Sequence, residues 1–434
     1  MRHKEATARW DVRPWGCPMV KVADFNGDGR SEVLFLQSAG AHANEAFDPR
    51  SDINAGYKTG AEDQDLFCMT LVDRDGRMIW QVGEPWDLGR PFSWNGHYSE
   101  FCDVVDLDAD GRVEFMFVHQ DQLRVYDGET GELRHSRMMP NSGFGAFVRA
   151  VKIDGSGNHH VFAKSGTSSR THSYGNPSLL MDHQLNTVWE EDDVPGAGHF
   201  GNYGDIDGDG LHELVIGFCL YDNDLTRLWS HAPLSPDDHL DGSAIADADG
   251  KGNFVIAMAH DGHDASVHNV DGTVRFRVPM HHCQNVTAVK LFDDLPGQQL
   301  VFIDKATGPS EERHAVITDG HGRIISKHRS PGYYSVVDWP SEHGPNSLIR
   351  VERPYPLDGE HRVVWVDPMG KELARLEARS SFADHIARAR LDPRSDHAMY
   401  HGATLTPSVG DLDGDGTDEL LITDRDTVWI FNAP

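Results

Sequence analysis

The chain has 434 residues, 38% of them hydrophobic, with 43 glycines and 22 prolines, a balance that suits many short strands joined by turns and excludes a disordered polymer. Its formal net charge of −30 excludes nucleic acid as a partner, because a polyphosphate needs a basic stripe. No apolar run reaches the roughly eighteen residues of a membrane span, so none is expected.

The elements follow one another as a repeated phrase: a hydrophobic stretch, an Asp/Gly-rich turn, a second hydrophobic stretch, then a hairpin. The N-terminal ATARWDV reads as a spare strand. The first phrase is VADFNGDGRSEVLFL from Val22, followed by the hairpin LFCMTLVDRDGRMIWQV. Next come VDLDADGRVEFMFV from Val105 with LRVYDGETGELRH, and a weaker copy, VKIDGSGNHHVFAK from Val151, with SLLMDHQLNTVWEE. A strong copy, GDIDGDGLHELVIG from Gly204, precedes LYDNDLTRLWSH. Three weak copies then start at Ile245, Val289 and Val336, and the strong GDLDGDGTDELLIT from Gly410 leads into DTVWIFNAP. Alternating apolar and polar residues round Asp-Gly, Asn or Gly turns signal antiparallel hairpins.

Four strong and four weak copies make eight units. Four strands in about 40–50 residues match a β-propeller blade. The expectation is therefore an all-β, single eight-bladed propeller over residues 1–434, with seven blades as the alternative. The last unit supplies three strands, and ATARWDV supplies the fourth, closing the ring and removing two exposed edges. Excursions at Gln37–Asp65 and Ala378–Thr404 are too polar for further blades and read as functional loops.

The strong copies place oxygen ligands at alternate positions with an acid four residues further on. The sets are Asp24, Asn26, Asp28 and Glu32; Asp106, Asp108, Asp110 and Glu114; Asp205, Asp207, Asp209 and Glu213; and Asp411, Asp413, Asp415 and Glu419. Carboxylates packed into one turn repel without a cation, and a hard ion takes six to eight oxygens, so structural Ca2+ is expected in several turns. The bland alternative is a plain Asp/Gly turn. The weak copies read as metal-free: Lys152 and Lys251 replace acids in two, and the other two lack the alternation.

Function is expected on the opposite connections, where eleven of the 26 histidines fall: His97, His119, His172, His199, His239, His260, His263, His281, His282, His397 and His401. Tyr98, Tyr174, Tyr203, Tyr334 and Tyr400 join them, and imidazole with phenol suits acid/base work. Lys164, Arg170, Lys305 and Arg353 add positive charge for an anionic ligand, or are solvated loop charge. Cys17, Cys68, Cys102, Cys219 and Cys283 have the spacing of neither a disulfide framework nor a zinc ribbon. MRHKEATARWDV lacks an apolar signal core, so the sequence reads as cytoplasmic as it stands, and as secreted if a leader has been removed.

The phrase D-x-D/N-x-D-G-x-x-E before an apolar strand resembles the FG-GAP type of propeller repeat. With one His-rich face, the chain is similar to the polysaccharide-lyase branch, the rhamnogalacturonan and ulvan lyases. The resemblance implies β-elimination on an acidic polysaccharide or oligosaccharide by a monomer. His97 and Tyr174 would then move protons, His119 and Arg170 would hold the uronate carboxylate, and His199 is the alternative base. Lys164, Tyr203, His239, His281, Tyr334 and Arg353 are expected to contact substrate. Two other readings stand beside it. One is a non-catalytic glycan- or protein-binding propeller with Trp15, Trp94 and Tyr334 as stacking platforms, and the other a transition-metal enzyme using His281, His282 and Cys283 with a distant histidine.

Overall fold

The computed structural model describes residues 2–16, 19–38, 67–85, 102–119, 122–139, 144–165, 175–236, 238–304, 314–329, 332–352, 360–379, 405–424 and 426–434. Their strands form eight sheets, seven of four strands and one of five. The eight units of the repeat are thus eight blades of an all-β propeller, and the seven-bladed alternative falls away.

Sheet 1 comprises Met19–Ala23, Glu32–Ser38, Phe67–Val72 and Met78–Gly83; sheet 2 comprises Cys102–Val105, Glu114–His119, Gln122–Asp127 and Leu133–Met138. Sheet 3 holds Phe144–Val151, His160–Ser165, Ser178–Met181 and Thr187–Glu191, and sheet 4 holds Asn202–Gly204, Glu213–Ile216, Cys219–Tyr221 and Arg227–Ser230. Sheet 5 is Leu240–Asp247, Phe254–His260, Ala265–Asn269 and Val274–Val278, and sheet 6 is Cys283–Val289, Gln299–Asp304, His314–Thr318 and Ile324–Arg329. Sheet 7 is Gly332–Val337, Ser347–Glu352, Arg362–Val366 and Glu372–Leu376, with Arg2–Lys4 added in parallel to its last strand. In sheet 8, Thr406–Gly410, Glu419–Thr423 and Thr427–Phe431 are completed by Ala8–Asp11, which pairs antiparallel with Thr427–Phe431.

The chain divides into two compact units. One comprises Met1–Val148, Val351–Val364 and Ala374–Pro434, and the other Arg149–Arg350 and Trp365–Leu373. In the second unit, buried residues of sheets 5 and 6 make one core, with Ala257, Ala259, Val267, Val286, Leu300, Phe302 and Val316 in contact. This core explains the strand composition. Gln299–Asp304 is buried at all of its positions, whereas the outer strand Arg227–Ser230 is mostly exposed. A strand packed on both faces reads as a continuous apolar run, and an outer strand reads as an alternation.

The Asp/Gly turns join the first and second strands of their sheets. In sheet 4, Asp205 accepts the backbone N–H of Gly208 at 2.6 Å and of Gly210 at 3.0 Å, while Glu213 accepts that of Ile206 at 2.6 Å. The same clamp recurs in sheet 8, where Glu419 accepts the N–H of Leu412 at 2.9 Å. Tying the loop by its own carboxylates requires left-handed backbone, which Gly208 (φ 86°) and Gly210 (φ 87°) provide. The turns between third and fourth strands start with an Asp whose Oδ1 takes two backbone N–H groups. Asp182 does so for Gln184 and Asn186, and Asp319 for His321 and Arg323.

No helix among the described residues is long and apolar enough to cross a membrane. The described cysteines, Cys68, Cys102, Cys219 and Cys283, are buried thiols that form no disulfide with one another. Both excursions that read as functional loops lie almost wholly outside the described residues.

Candidate active site

The chemistry-bearing residues of the second unit meet round one carboxylate. His239 and Asp241 flank Leu240 at the start of sheet 5, where the pairing register shifts between Leu240 and Gly242. Asp241 is 1% exposed. Its Oδ1 lies 3.5 Å from His199 Nε2 and 3.5 Å from His239 Nε2, and its Oδ2 lies 2.8 Å from His282 Nε2. Asp261, just beyond the second strand of sheet 5, closes the group: its carboxylate is 3.4 Å from His239 Nδ1 and 2.8 Å from His282 Nδ1. His199 and His239 pack edge to face with ring centroids 5.4 Å apart.

Backbone stitching fixes these positions. His199 N–H donates to Leu240 O at 2.7 Å and Leu240 N–H to Gly196 O at 2.9 Å, so the loop bearing His199 is laid against the strand bearing Asp241. The approach is so close that a Cβ on Gly198 would stand 2.1 Å from Leu240 O. Beneath the loop, the Lys164 ammonium donates to Ala197 O. His282 is set by Asp304, whose Oδ1 accepts the N–H groups of His281 and His282 at 3.1 Å each.

Burial works against a charged Asp241, but the imidazoles of His239, His282 and His199 outweigh it and hold its carboxyl well below the usual carboxylate range. His282 acts first on Asp261 too, lowering its pKa. An anionic pair of carboxylates faced by three imidazoles can hold a divalent cation. Two overlapping triads, His199/His239/Asp241 and Asp241/Asp261/His282, each have their ligand atoms within 4.8 Å of one another.

Of the residues singled out in the sequence, His199, His239 and His282 are thus brought together; Asp241 and Asp261 were not foreseen. His281 sits outside the cluster, largely exposed, with Nδ1 3.6 Å from Asp304 Oδ2. The Cys283 thiol is fully buried and its pKa is pushed up by burial, so the run His281–Cys283 contributes one imidazole and no thiolate. Tyr203 packs on His212, and the Tyr334 hydroxyl lies 2.9 Å from His328 Nε2. Lys164, read as a loop cation, is instead fully buried in the second strand of sheet 3, where burial pushes its pKa down to about 7. His119 ends the second strand of sheet 2. His97, Arg170, Tyr174 and Arg353 lie outside the described residues.

The acidic turns differ among themselves. Asp106/Asp108/Glu114 and Asp205/Asp207/Glu213 each bring one ligand atom per residue within 4.8 Å of the others, and Glu213 Oε1 is a buried acceptor without a hydrogen bond. In the first turn the Asn26 amide already donates to Glu32 Oε1 at 2.8 Å.

No family model matches the chain. A rhamnogalacturonan exolyase, YesX of Bacillus subtilis, is 26% identical over 269 residues, which are 49% of this chain and 39% of that protein. The crystal structure of YesX superimposes with a TM-score of 0.65 at 16% identity, covering 99% of this chain and 75% of the other. The chain thus shares the eight-bladed propeller fold of this lyase, and about half of it is similar in sequence to it. Another such lyase, YesW, gives a TM-score of 0.62 at 16% identity over 95% of this chain and 71% of its own. The Vibrio cholerae biofilm matrix protein Bap1 shares the fold at 0.58 and 12% identity, covering 99% of this chain and 90% of its own. In sequence, the match spans about two fifths of the length of its curated relative.

Proposed function

We propose that the protein is a polysaccharide lyase that cleaves a uronic-acid-containing polysaccharide or oligosaccharide by β-elimination. The observation that carries this reading is the convergence of His199, His239 and His282 on the buried Asp241 and on Asp261, in a chain related to a rhamnogalacturonan exolyase. β-Elimination breaks the C5–H and C4–O bonds of the uronate and forms the C4=C5 double bond. The proton at C5 is weakly acidic until the neighbouring carboxylate is neutralised, so the site must offer positive charge, a base and an acid.

Asp241, Asp261 and the three imidazoles would hold a divalent cation, which when bound supplies the charge that neutralises the substrate carboxylate. His199 Nε2 faces the Asp241 carboxylate, so it serves the cluster better than it would serve as the base. Proton transfer is assigned to His97 and Tyr174, with His119 and Arg170 steadying the uronate, and Arg353, Tyr203, His281 and Tyr334 as outer substrate contacts. Lys164 supports the His199 loop from below. The acidic turns at Asp24, Asp205 and Asp411 are assigned structural Ca2+, an oxygen-rich setting that suits a hard cation.

Incubation with rhamnogalacturonan, ulvan or glucuronate-containing gums should release unsaturated uronates, seen as ultraviolet absorbance. Asp241→Asn should lower that rate by about 100-fold or more and reduce the metal content measured by elemental analysis. An Asp241→Asn variant with full activity would remove the cluster from the mechanism. Saturable binding of these polymers without any unsaturated product would make the protein a binding propeller instead.

A further inference from the structure

A second mixed cluster lies in the other divergent part of the repeat. The connection between the first two strands of sheet 7 reads DWPSEHGPN and has none of the alternating acids of the strong turns. There the structure sets Glu342, His343 and Asp367 with one ligand atom each, all within 4.8 Å of one another. His343 Nε2 lies 3.9 Å from Glu342 Oε1 and 3.7 Å from Asp367 Oδ2.

Asp367 is the informative member. It begins the turn between the last two strands of sheet 7, and its Oδ1 takes the N–H groups of Met369 at 2.9 Å and Lys371 at 2.8 Å. In three of the equivalent turns the second oxygen has a partner. Asp182 Oδ2 accepts from the Asn186 amide at 2.9 Å, Asp319 Oδ2 from Arg323 at 3.2 Å, and Asp127 Oδ2 from Arg134 at 2.5 Å. Asp367 Oδ2 has no hydrogen bond although the residue is 1% exposed. Leaving a carboxylate oxygen buried and unmet is expensive, and the turn prevents it from rotating away. The His343 imidazole, 3.7 Å away, is too distant for a hydrogen bond.

The imidazole is held just as firmly. His343 O accepts the Asp293 N–H at 2.9 Å, its N–H donates to Ser341 Oγ at 3.2 Å, and its ring packs on Phe292 with centroids 5.5 Å apart. Donors bound tetrahedrally to zinc at about 2.0–2.2 Å stand roughly 3.3–3.5 Å apart, so each imidazole–carboxylate spacing, 3.9 Å and 3.7 Å, needs a contraction of only a few tenths of an ångström, and the two carboxylates start within 4.8 Å of each other. One imidazole with two carboxylates selects a borderline metal over the calcium that suits all-oxygen turns. We propose that Glu342, His343 and Asp367 form a binding site for a zinc-class divalent cation that clips the two turns of sheet 7 together. Lys371 Nζ, 2.9 Å from Glu342 Oε1, is the competing cation. Both groups are more than half exposed, so their pairing opposes a dication only weakly.

The test is a zinc titration by calorimetry in excess calcium, on an Asp241→Asn background that removes the ligand shared by both triads of the Asp241 cluster. That background should take up one zinc equivalent, and adding His343→Ala or Asp367→Asn should abolish it. Asp367→Asn keeps the Oδ1 acceptor for the turn, so it guards against a variant that fails through misfolding. Lys371→Met should tighten zinc by up to about fivefold. Equal zinc uptake with and without His343→Ala, or no uptake in the background protein, would overturn the proposal.

Discussion

Arg134 Nη1 stands 2.8 Å from Glu114 Oε1, inside the acidic turn of sheet 2, and is also 3.4 Å from Asp108 and 3.5 Å from Asp110. The guanidinium, anchored on Asp127 at 2.5 Å, occupies the space a cation would need. This turn has the ligand spacing of the others but carries its own counter-charge. Arg134→Ala should therefore add one calcium equivalent to the protein, read by titration against wild type. Unchanged stoichiometry would show that this turn binds calcium with Arg134 in place, or never binds it.

Ala109 sits in the same turn with φ of 58°, where the other three strong turns have Gly27, Gly208 and Gly414. A Cβ in the left-handed region costs about 1 kcal/mol, part of which glycine returns as unfolded-chain entropy. Ala109→Gly should raise stability by about 0.5–1 kcal/mol in denaturant unfolding. A lower midpoint would mean that the Ala109 side chain is used.

His268 is buried with Nε2 2.8 Å from Ser266 Oγ and Nδ1 3.3 Å from Gly272 O, stacked on Trp229. Burial is the main force holding its pKa near 4, below the ordinary 6.5. The unfolded chain then binds a proton that the fold refuses between those values. The stability from neutral His268 is complete above pH 6.5 and is lost as pH falls toward 4. Its share is about 3 kcal/mol across that window. Chemical unfolding at pH 7 and pH 4.5 should show a smaller acid loss in His268→Gln than in wild type; equal losses would contradict the assignment.

Lys164 obeys the same sign. Its folded pKa of about 7 lies below the ordinary 10.5, so stability should climb as pH rises from 7 toward 10. Lys164→Met should flatten that climb. It should also weaken the metal affinity of the Asp241 cluster, because the ammonium fastens the loop that presents His199. A flat wild-type profile, with unchanged metal affinity in the variant, would leave the lysine a bystander.

The blade count was legible because four turns write the full signature, Asp or Asn at alternate positions, then Glu, then a run such as ELVI that is buried throughout, and four weaker copies fill the spacing between them. The cluster was only half legible. His199, His239 and His282 were marked by their position on one face, but they come from loops far apart in sequence, and only the packing of sheets 4, 5 and 6 reveals that they converge. Asp241 was not singled out, although an acid two residues after His239 in a loop entering sheet 5 was a signal in the sequence. Lys164 was misread because charge outweighed context. It follows Val161, Phe162 and Ala163, all buried, in a strand packed on both sides.

The short strand Arg2–Lys4 lies parallel along Glu372–Leu376, so sheet 7 shows the surroundings a guest strand rather than open backbone. Among the described residues, the fourth strands of sheets 1, 2 and 6 have no such guest, and they display Met78, Leu133, Met138 and Ile324 to solvent. Peeling away the first few residues would give sheet 7 the same bare flank, ready to recruit an extended segment of another molecule. Stored or concentrated protein lacking those residues should therefore self-associate sooner than the intact chain, a handling property written into three amino acids.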